Sequence, residues 1–421
     1  MRTIDAIAQI LKAEGIEYLS CFPTTPVIEA AAQVGIRPII CRQERVGVGI
    51  ADGYSRVTNG RPPGVFAMQY GPGAENAFPG VSTAYSDSTP LLLLPLGHTR
   101  NHDRVFPLFS SLRTYESVTK SVEQINTEGR VVDVMRRAFA SLRNGRSGPV
   151  MVEIPSDLTE SEVDPMAVAN YQPVPNVLAQ ANPDDVDRAA KALLSAEHPM
   201  IIAGAGVLYA EATDQLVQLA EFLQLPVMTT MEGKSAISEL HPLALGSGSG
   251  VMSEPVLTFL KKADVVLVIG SSMTPHSMVT PIPPGKTVIH STNDPIDIGK
   301  GGSPDQAMLG DSKLVLTQLY DAVQDLAGKT PRSSAKGPAE EIRLLRSAWE
   351  AKWSPKLMAN SKPINPYRVA WELNEFLTEE TIYIGDGGDV VTISAQAVRP
   401  RSPGHWMDPG PLGSLGVGTG F

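Results

Sequence analysis

With 421 residues the chain has room for two to four domains, each large enough to bury a core of its own. Hydrophobic residues make up 42% of it and charged residues 19%, and the formal net charge is −10. No lysine–arginine run is long enough to follow a phosphate backbone, which excludes nucleic acid and anionic membrane as expected partners. The two cysteines, Cys21 and Cys41, lie in apolar contexts without CxxC spacing, so a disulfide framework or zinc site is not expected and a reducing cytoplasm fits.

The N-terminal stretch MRTIDAIAQILKAEGIEYL sets charged against apolar residues at helical spacing and has no signal-peptide core. The helix over about 3–14 leads to the strand YLSCF, a second helix and the strand PIICR. A helix carrying VGVGIADGYSR follows, then the strands GVFAMQY and PLLLLPLG. The run TPLLLLPLG is too short to span a bilayer and reads as a buried parallel strand. A helix over about 130–143 and the strand GPVMVEIP close this first unit. From about 160 to 185 the text loses periodicity, as in YQPVPNVLAQANPDD, and reads as a linker. A second series follows: HPMIIAGAG, the helix ATDQLVQLAEFLQL, PVMTTMEG, ADVVLVIGSS, KTVIHSTNDP and a helix near 312–326. After the break GKTPRSSAKGP comes a charged helix, then a helix and strand in NPYRVAWELNEFLTEETIYIGDGGDVV. Strands alternating with helices in short units predict consecutive three-layer α/β domains with parallel sheets.

Several short patterns carry chemistry. CRQERVGVGIADGYSR places Glu44 just after a strand, at the start of a helix rich in small residues. It is either a surface carboxylate paired with Arg42 or Arg45, or a functional one held in a tight, partly dry place by the close packing that Gly47, Gly49, Ala51 and Gly53 allow. QYGPGAEN is a glycine–proline turn into a helix, with Asn76 at its start; it can cradle a ligand or cap the helix. Gly204 and Gly206 in IIAGAGVLYA hint at a dinucleotide turn, but Tyr209 stands where the third glycine belongs. HTRNH lacks the glutamate of a zinc helix, and SVTK lacks the companion motifs of a serine acylase. YIGDGGDVV ends a strand in Asp386 and Asp389 among glycines, as a diphosphate turn or a solvent-facing one.

In this order the segments resemble the thiamine-diphosphate enzymes of the acetolactate synthase type. FPTTP resembles that family's Tyr-Pro-Gly-Gly turn, and RQERVGVGIADGYSR its Arg-His-Glu-Gln helix. QYGPGAEN resembles its Ser-Gly-Pro-Gly-Ala-Thr-Asn turn, SGPVMVEIPSDL the strand ending its first domain, and GPLGSLGVGTGF its Gly-Gly-Leu-Gly-Ala-Met-Gly run. The likeness runs along essentially the whole chain. It implies a pyrimidine-binding domain over 1–165, a Rossmann-like central domain over 186–328 that can hold FAD or ADP, and the start of a diphosphate-binding domain over 363–421. It makes Glu44 the carboxylate that hydrogen-bonds the aminopyrimidine and so promotes removal of the thiazolium C2 proton before a 2-keto acid is decarboxylated or joined to a second carbonyl. Pro23, Thr24, Gly71, Pro72, Gly73 and Asn76 would line the pyrimidine side. Gly385, Gly387, Gly388, Asp389, Gly410, Leu412 and Gly413 fall on loops near the thiazolium and diphosphate, with Leu415 as the apolar prop under the bent cofactor. The family's pocket is shared between subunits, which implies a homo-dimer or tetramer.

This sequence departs from the family in two places. The family's metal motif is Gly-Asp-Gly followed, after roughly 30 residues, by paired asparagines. GDGG at 385 precedes the glycine–leucine run and no such pair follows, so the Mg2+ ligands are expected beyond Phe421, none within this chain. The third domain is then incomplete, with a loosely held segment from about 385 and the beginning of a helix at GPLGSLGVGTGF. Pro107 also stands after Phe106 where acetolactate synthases carry a glutamine near the substrate, and FPTT replaces the glycine pair, which argues against acetolactate as the product. The readings beside the main one are a 2-hydroxyacyl-CoA lyase or oxalyl-CoA decarboxylase type enzyme, and an inactive binding or regulatory partner that lacks the metal–diphosphate anchor.

Overall fold

The apolar run Leu91–Gly97 is buried at every residue, as a strand covered on both faces must be. The structure, a computed structural model, describes residues 1–248, 252–276, 278–328 and 337–421. It divides into two units, Met1–Val177 with Ser414–Phe421, and Leu178–Gly413.

The first unit contains, in chain order, α1 (Thr3–Ala13), β1 (Tyr18–Cys21), α2 (Val27–Gln33), β2 (Arg37–Ile40), α3 (Glu44–Val57), β3 (Gly64–Met68), α4 (Pro72–Ser86), β4 (Leu91–Gly97), α5 (Ser111–Tyr115), β5 (Ser121–Gln124), α6 (Val131–Arg143), β6 (Pro149–Pro155) and α7 (Pro165–Ala169). Its six strands form one sheet in the order β2-β1-β3-β4-β6-β5, parallel at every pairing. Successive side chains of a strand point to opposite faces, so β4 feeds two layers. Leu92 and Leu94 join Ile7, Leu11 and Phe139 from α1 and α6. Leu91 and Leu93 join Val48, Ala77 and Tyr115 from α3, α4 and α5. Each buried leucine contributes roughly 1.5–3 kcal/mol, so this strand anchors the unit.

The second unit contains α8 (Pro183–Ser195), β7 (Pro199–Ala203), α9 (Ala205–Tyr209), α10 (Thr213–Leu223), β8 (Val227–Thr229), β9 (Ala244–Ser247), α11 (Glu254–Lys262), β10 (Val265–Ile269), β11 (Thr287–Thr292), β12 (Gln306–Leu309), α12 (Ser312–Ala327), α13 (Pro338–Leu357), α14 (Pro366–Glu372), β13 (Tyr383–Ile384), α15 (Asp389–Ala397) and β14 (Trp406–Met407). Six strands again make a parallel sheet, β12-β11-β10-β7-β8-β9, and β13 and β14 form a separate parallel pair. Gly204 and Gly206 serve packing: a Cβ on Gly204 would lie 2.3 Å from the Gly270 carbonyl oxygen, and one on Gly206 2.8 Å from the Gly270 Cα.

Three expectations change. The stretch read as a linker contains α7, started by Pro165 and capped by the Asp164 side chain, which accepts from the Met166 amide. The segment after 385 is not loose: Ala397, Val398 and Trp406 are buried in one apolar cluster with Ala370 and Val391. The terminal GPLGSLGVGTGF forms two 3-10 turns, Gly410–Leu412 and Val417–Thr419, rather than the beginning of an α-helix. Gly410, Gly413 and Gly416 adopt φ of +60°, +59° and +87°, which interrupts α-helical geometry every third residue. The break expected at GKTPRSSAKGP falls mostly outside the described residues.

Candidate active site

In the first sheet β1 lies between β2 and β3. The chain leaves β1 for β2 on one side and then crosses to β3 on the other, so the loops at the carboxyl ends of these strands diverge and open a crevice. The candidate residues of this unit, Leu415 apart, sit in those loops or at the starts of the helices they lead into.

Glu44 begins α3 immediately after β2, and it is 5% exposed. Its Oε2 accepts a hydrogen bond from the Asn76 Nδ2 at 3.1 Å. The bond ties the first turn of α3 to the first turn of α4. Burial pushes the Cys41 thiol above its ordinary value, and the Glu44 carboxylate beside it adds to the effect. The pairing with Arg42 or Arg45 that a surface role would require is absent among the described residues: Arg45 instead donates to the Leu415 carbonyl. α3 is drawn against the sheet because Gly47 has no side chain; a Cβ there would lie 2.4 Å from the Phe66 ring and 2.6 Å from the Cys41 sulfur. Ser20 on β1 donates from Oγ to the Gly47 carbonyl at 2.7 Å and pins the same turn.

The turn Gly71-Pro72-Gly73 follows β3. Gly71 takes φ +58°, in a region that favours glycine, and Pro72 is the first residue of α4. A Cβ on Gly73 would come within 3.3 Å of Glu44 Oε1 and 2.9 Å of the Gln69 Cβ, so glycine keeps the carboxylate uncovered on that side. Pro23 and Thr24 are exposed in the loop after β1. Next to them Thr25 is buried, and its Oγ1 has no hydrogen-bond partner among the described residues.

The remaining candidates divide between the units. In the second, Gly385 is tied to β14 by its amide, which donates to the Met407 carbonyl at 2.9 Å, and Gly387 donates to Asp386 Oδ1 at 2.7 Å. Gly388, at φ +77°, caps α15, which begins with an exposed Asp389. Gly410, Leu412 and Gly413 make the first 3-10 turn and its cap, with Leu412 55% exposed. Leu415 belongs to the first unit and is 64% exposed. There Gly420 and Phe421 lie on the small-residue face of α3, where a Cβ on Gly49 would be 3.1 Å from the Gly420 Cα and one on Gly53 2.8 Å from the Phe421 Cα. Among the described residues no cluster of three or more His, Cys, Asp or Glu side chains could hold a metal ion.

Two supports were not legible in the sequence. The Tyr115 hydroxyl, buried on α5, donates to the Ala74 carbonyl at 2.6 Å and holds the first turn of α4; burial raises this phenol. Tyr70, just before the glycine turn, packs on His98 with ring centroids 4.9 Å apart. Both contacts join residues far apart in the chain, and no local pattern announces them.

A parallel sheet with a buried carboxylate and glycine turns at its carboxyl edge, followed in the chain by a second parallel α/β domain, has the layout of an α/β ligand-binding protein. The thiamine pyrophosphate enzyme N-terminal TPP binding domain matches residues 1–118, and the thiamine pyrophosphate enzyme central domain matches residues 186–319. The chain is 30% identical to the probable acetolactate synthase large subunit of Methanocaldococcus jannaschii over 99% of its own length and 72% of that protein's. It is 29% identical to the glyoxylate carboligase of Escherichia coli O157:H7, over 99% and 71% of the two chains. It is 27% identical to 2-hydroxyacyl-CoA lyase 1 of Homo sapiens, over 99% and 72%. The chain belongs to the thiamine pyrophosphate enzymes, whose N-terminal domain binds thiamine diphosphate.

Proposed function

We propose that the protein is a decarboxylase or carboligase acting on a 2-keto acid, with Glu44 as the residue that exchanges a proton with the aminopyrimidine of thiamine diphosphate. The observation that carries this reading is the burial of Glu44 in the loop crevice, with its free oxygen beside Gly73. The residues fit the pyrimidine half of the cofactor: a buried carboxyl, a glycine that leaves room above it, and the unpaired Thr25 hydroxyl in the neighbouring loop. When bound, the cofactor supplies a ring that accepts the electron pair left when carbon dioxide departs from a 2-keto acid. Glu44 would hold the pyrimidine nitrogen and pass a proton to and from it, in a place where water cannot compete. Asn76 orients the carboxyl, Gly71–Gly73 admit the ring, and Pro23 and Thr24 border it.

In the same reading Gly385, Gly387, Gly388, Asp389, Gly410, Leu412, Gly413 and Leu415 would serve the thiazolium and diphosphate side, where Mg2+ would offset the charge of the diphosphate. The domain boundaries at 1–165, 186–328 and 363–421 belong to this reading too. FAD or ADP is the candidate ligand of the central domain. A homo-dimer or tetramer supplies the shared pocket, supported by the apolar side chains of Ile40, Val57 and Tyr85 that the first unit leaves exposed. Among the described residues no helix is long and apolar enough to cross a membrane, and the reading places the protein in the cytoplasm. Carbon dioxide release from a panel of 2-keto acids, with thiamine diphosphate and Mg2+ supplied, tests the function. Cofactor-dependent turnover of at least one acid is expected, and binding of cofactor without turnover of any would overturn it.

A further inference from the structure

Within the second unit β9, α11, α13 and α15 border a small cavity, partly open to solvent. Its polar wall is built mainly of donors. Arg346 on α13 gives one guanidinium N–H to the Ala244 carbonyl at 2.7 Å and forms no ion pair among the described residues. Arg399, just after α15, pairs with Glu350 while lining the same space. Among the described residues Glu239 is the only carboxylate on the wall, and the wholly buried Lys234 already holds it. Burial first, and then the Arg399 guanidinium beside it, pull Arg346 below the ordinary arginine value, with Glu239 and Glu350 acting in the opposite sense. Two further groups on the wall are unsatisfied: Ser253 Oγ and Gln396 Nε2 are buried atoms with no hydrogen-bond partner among the described residues. Ser253 is also the N-cap of the nine-residue α11, makes no capping bond, and lines the cavity together with Pro255.

Two guanidiniums drawn into one cavity repel each other, and buried donors without acceptors destabilise the fold by their lost hydration. A single anion relieves both. We propose that this cavity binds a small oxyanion, a carboxylate or inorganic phosphate, clasped by Arg346 and Arg399 and completed by Ser253 and Gln396. The free space, much of it open to solvent, suits a small ion and not a nucleotide. The cavity lies wholly on the second unit, away from Glu44 and the pyrimidine-side loops of the first, and its Gln396 is on α15, the helix that Asp389 opens.

Isothermal titration of the whole protein with sodium acetate and, separately, sodium phosphate, in a chloride-poor buffer at constant ionic strength, tests it. Saturable binding of at least one ion is expected, weakened about tenfold or more in Arg346→Met and in Gln396→Leu. Saturation by acetate alone assigns a carboxylate, and by phosphate alone a phosphate. Gln396→Leu and Ser253→Ala leave the net charge intact and carry the test if Arg346→Met does not fold. Non-saturating heats, equal affinity in the variants, or loss of binding when excess thiamine diphosphate is present would each overturn the assignment.

Discussion

Glu44 is held on one side and open on the other. Asn76 meets one oxygen, Ser20 pins the turn behind it, and Gly73 leaves the other oxygen uncovered. A methyl group at position 73 would close that opening, so Gly73→Ala tests the arrangement with the smallest change available. Its Cβ would press on Gln69 at 2.9 Å and on Glu44 Oε1 at 3.3 Å. We expect a stability loss of about 1–3 kcal/mol from overpacking, read by urea denaturation. Thiamine diphosphate affinity should fall in the same variant. Unchanged affinity would show that the space beside Glu44 is not where the pyrimidine lies.

At the scale of elements, β6 carries a second buried carboxylate, Glu153. Burial raises it above the ordinary value of 4.5, outweighing the hydrogen bonds from Ser111 and from Gln124, which donates at 2.8 Å; Asp103 adds to the rise and His98 opposes it. A group whose folded value is raised gives stability that is full below pH 4.5 and lost as pH climbs through the raised value. The wild-type urea midpoint should therefore fall more steeply above pH 4.5 than that of Glu153→Gln, and parallel curves would refute the burial argument. The elements that could be read from sequence were those with a strong local signal. β4 is an unbroken apolar run, and α3 opens on a carboxylate amid glycines. β5, with the half-buried sequence SVEQ, and the five-residue α5 carry no such signal, because their placement rests on contacts with β6 and α4. The terminal glycines were legible as close-approach residues, but their positive φ values turned the expected helix into two 3-10 turns.

Over the whole molecule, two parallel sheets of six strands each repeat one architecture, and the first presents its candidate site at the carboxyl edge of β2, β1 and β3. The residues proposed for the pyrimidine side lie in the first unit together with Leu415, and those from Gly385 to Gly413 lie in the second. If the pocket is shared between subunits, light scattering at micromolar concentration should report at least a dimer, and a monomer that retains full turnover would exclude a shared site. Glu44 is proposed to drive proton exchange on bound thiamine diphosphate. Hydrogen–deuterium exchange at the cofactor's C2, followed by NMR in the catalytically active form of the protein, measures this directly. Glu44→Gln should still fold and bind the cofactor but exchange C2 about 100-fold or more slowly; an exchange rate equal to wild type, with the cofactor bound, would rule out that role for Glu44.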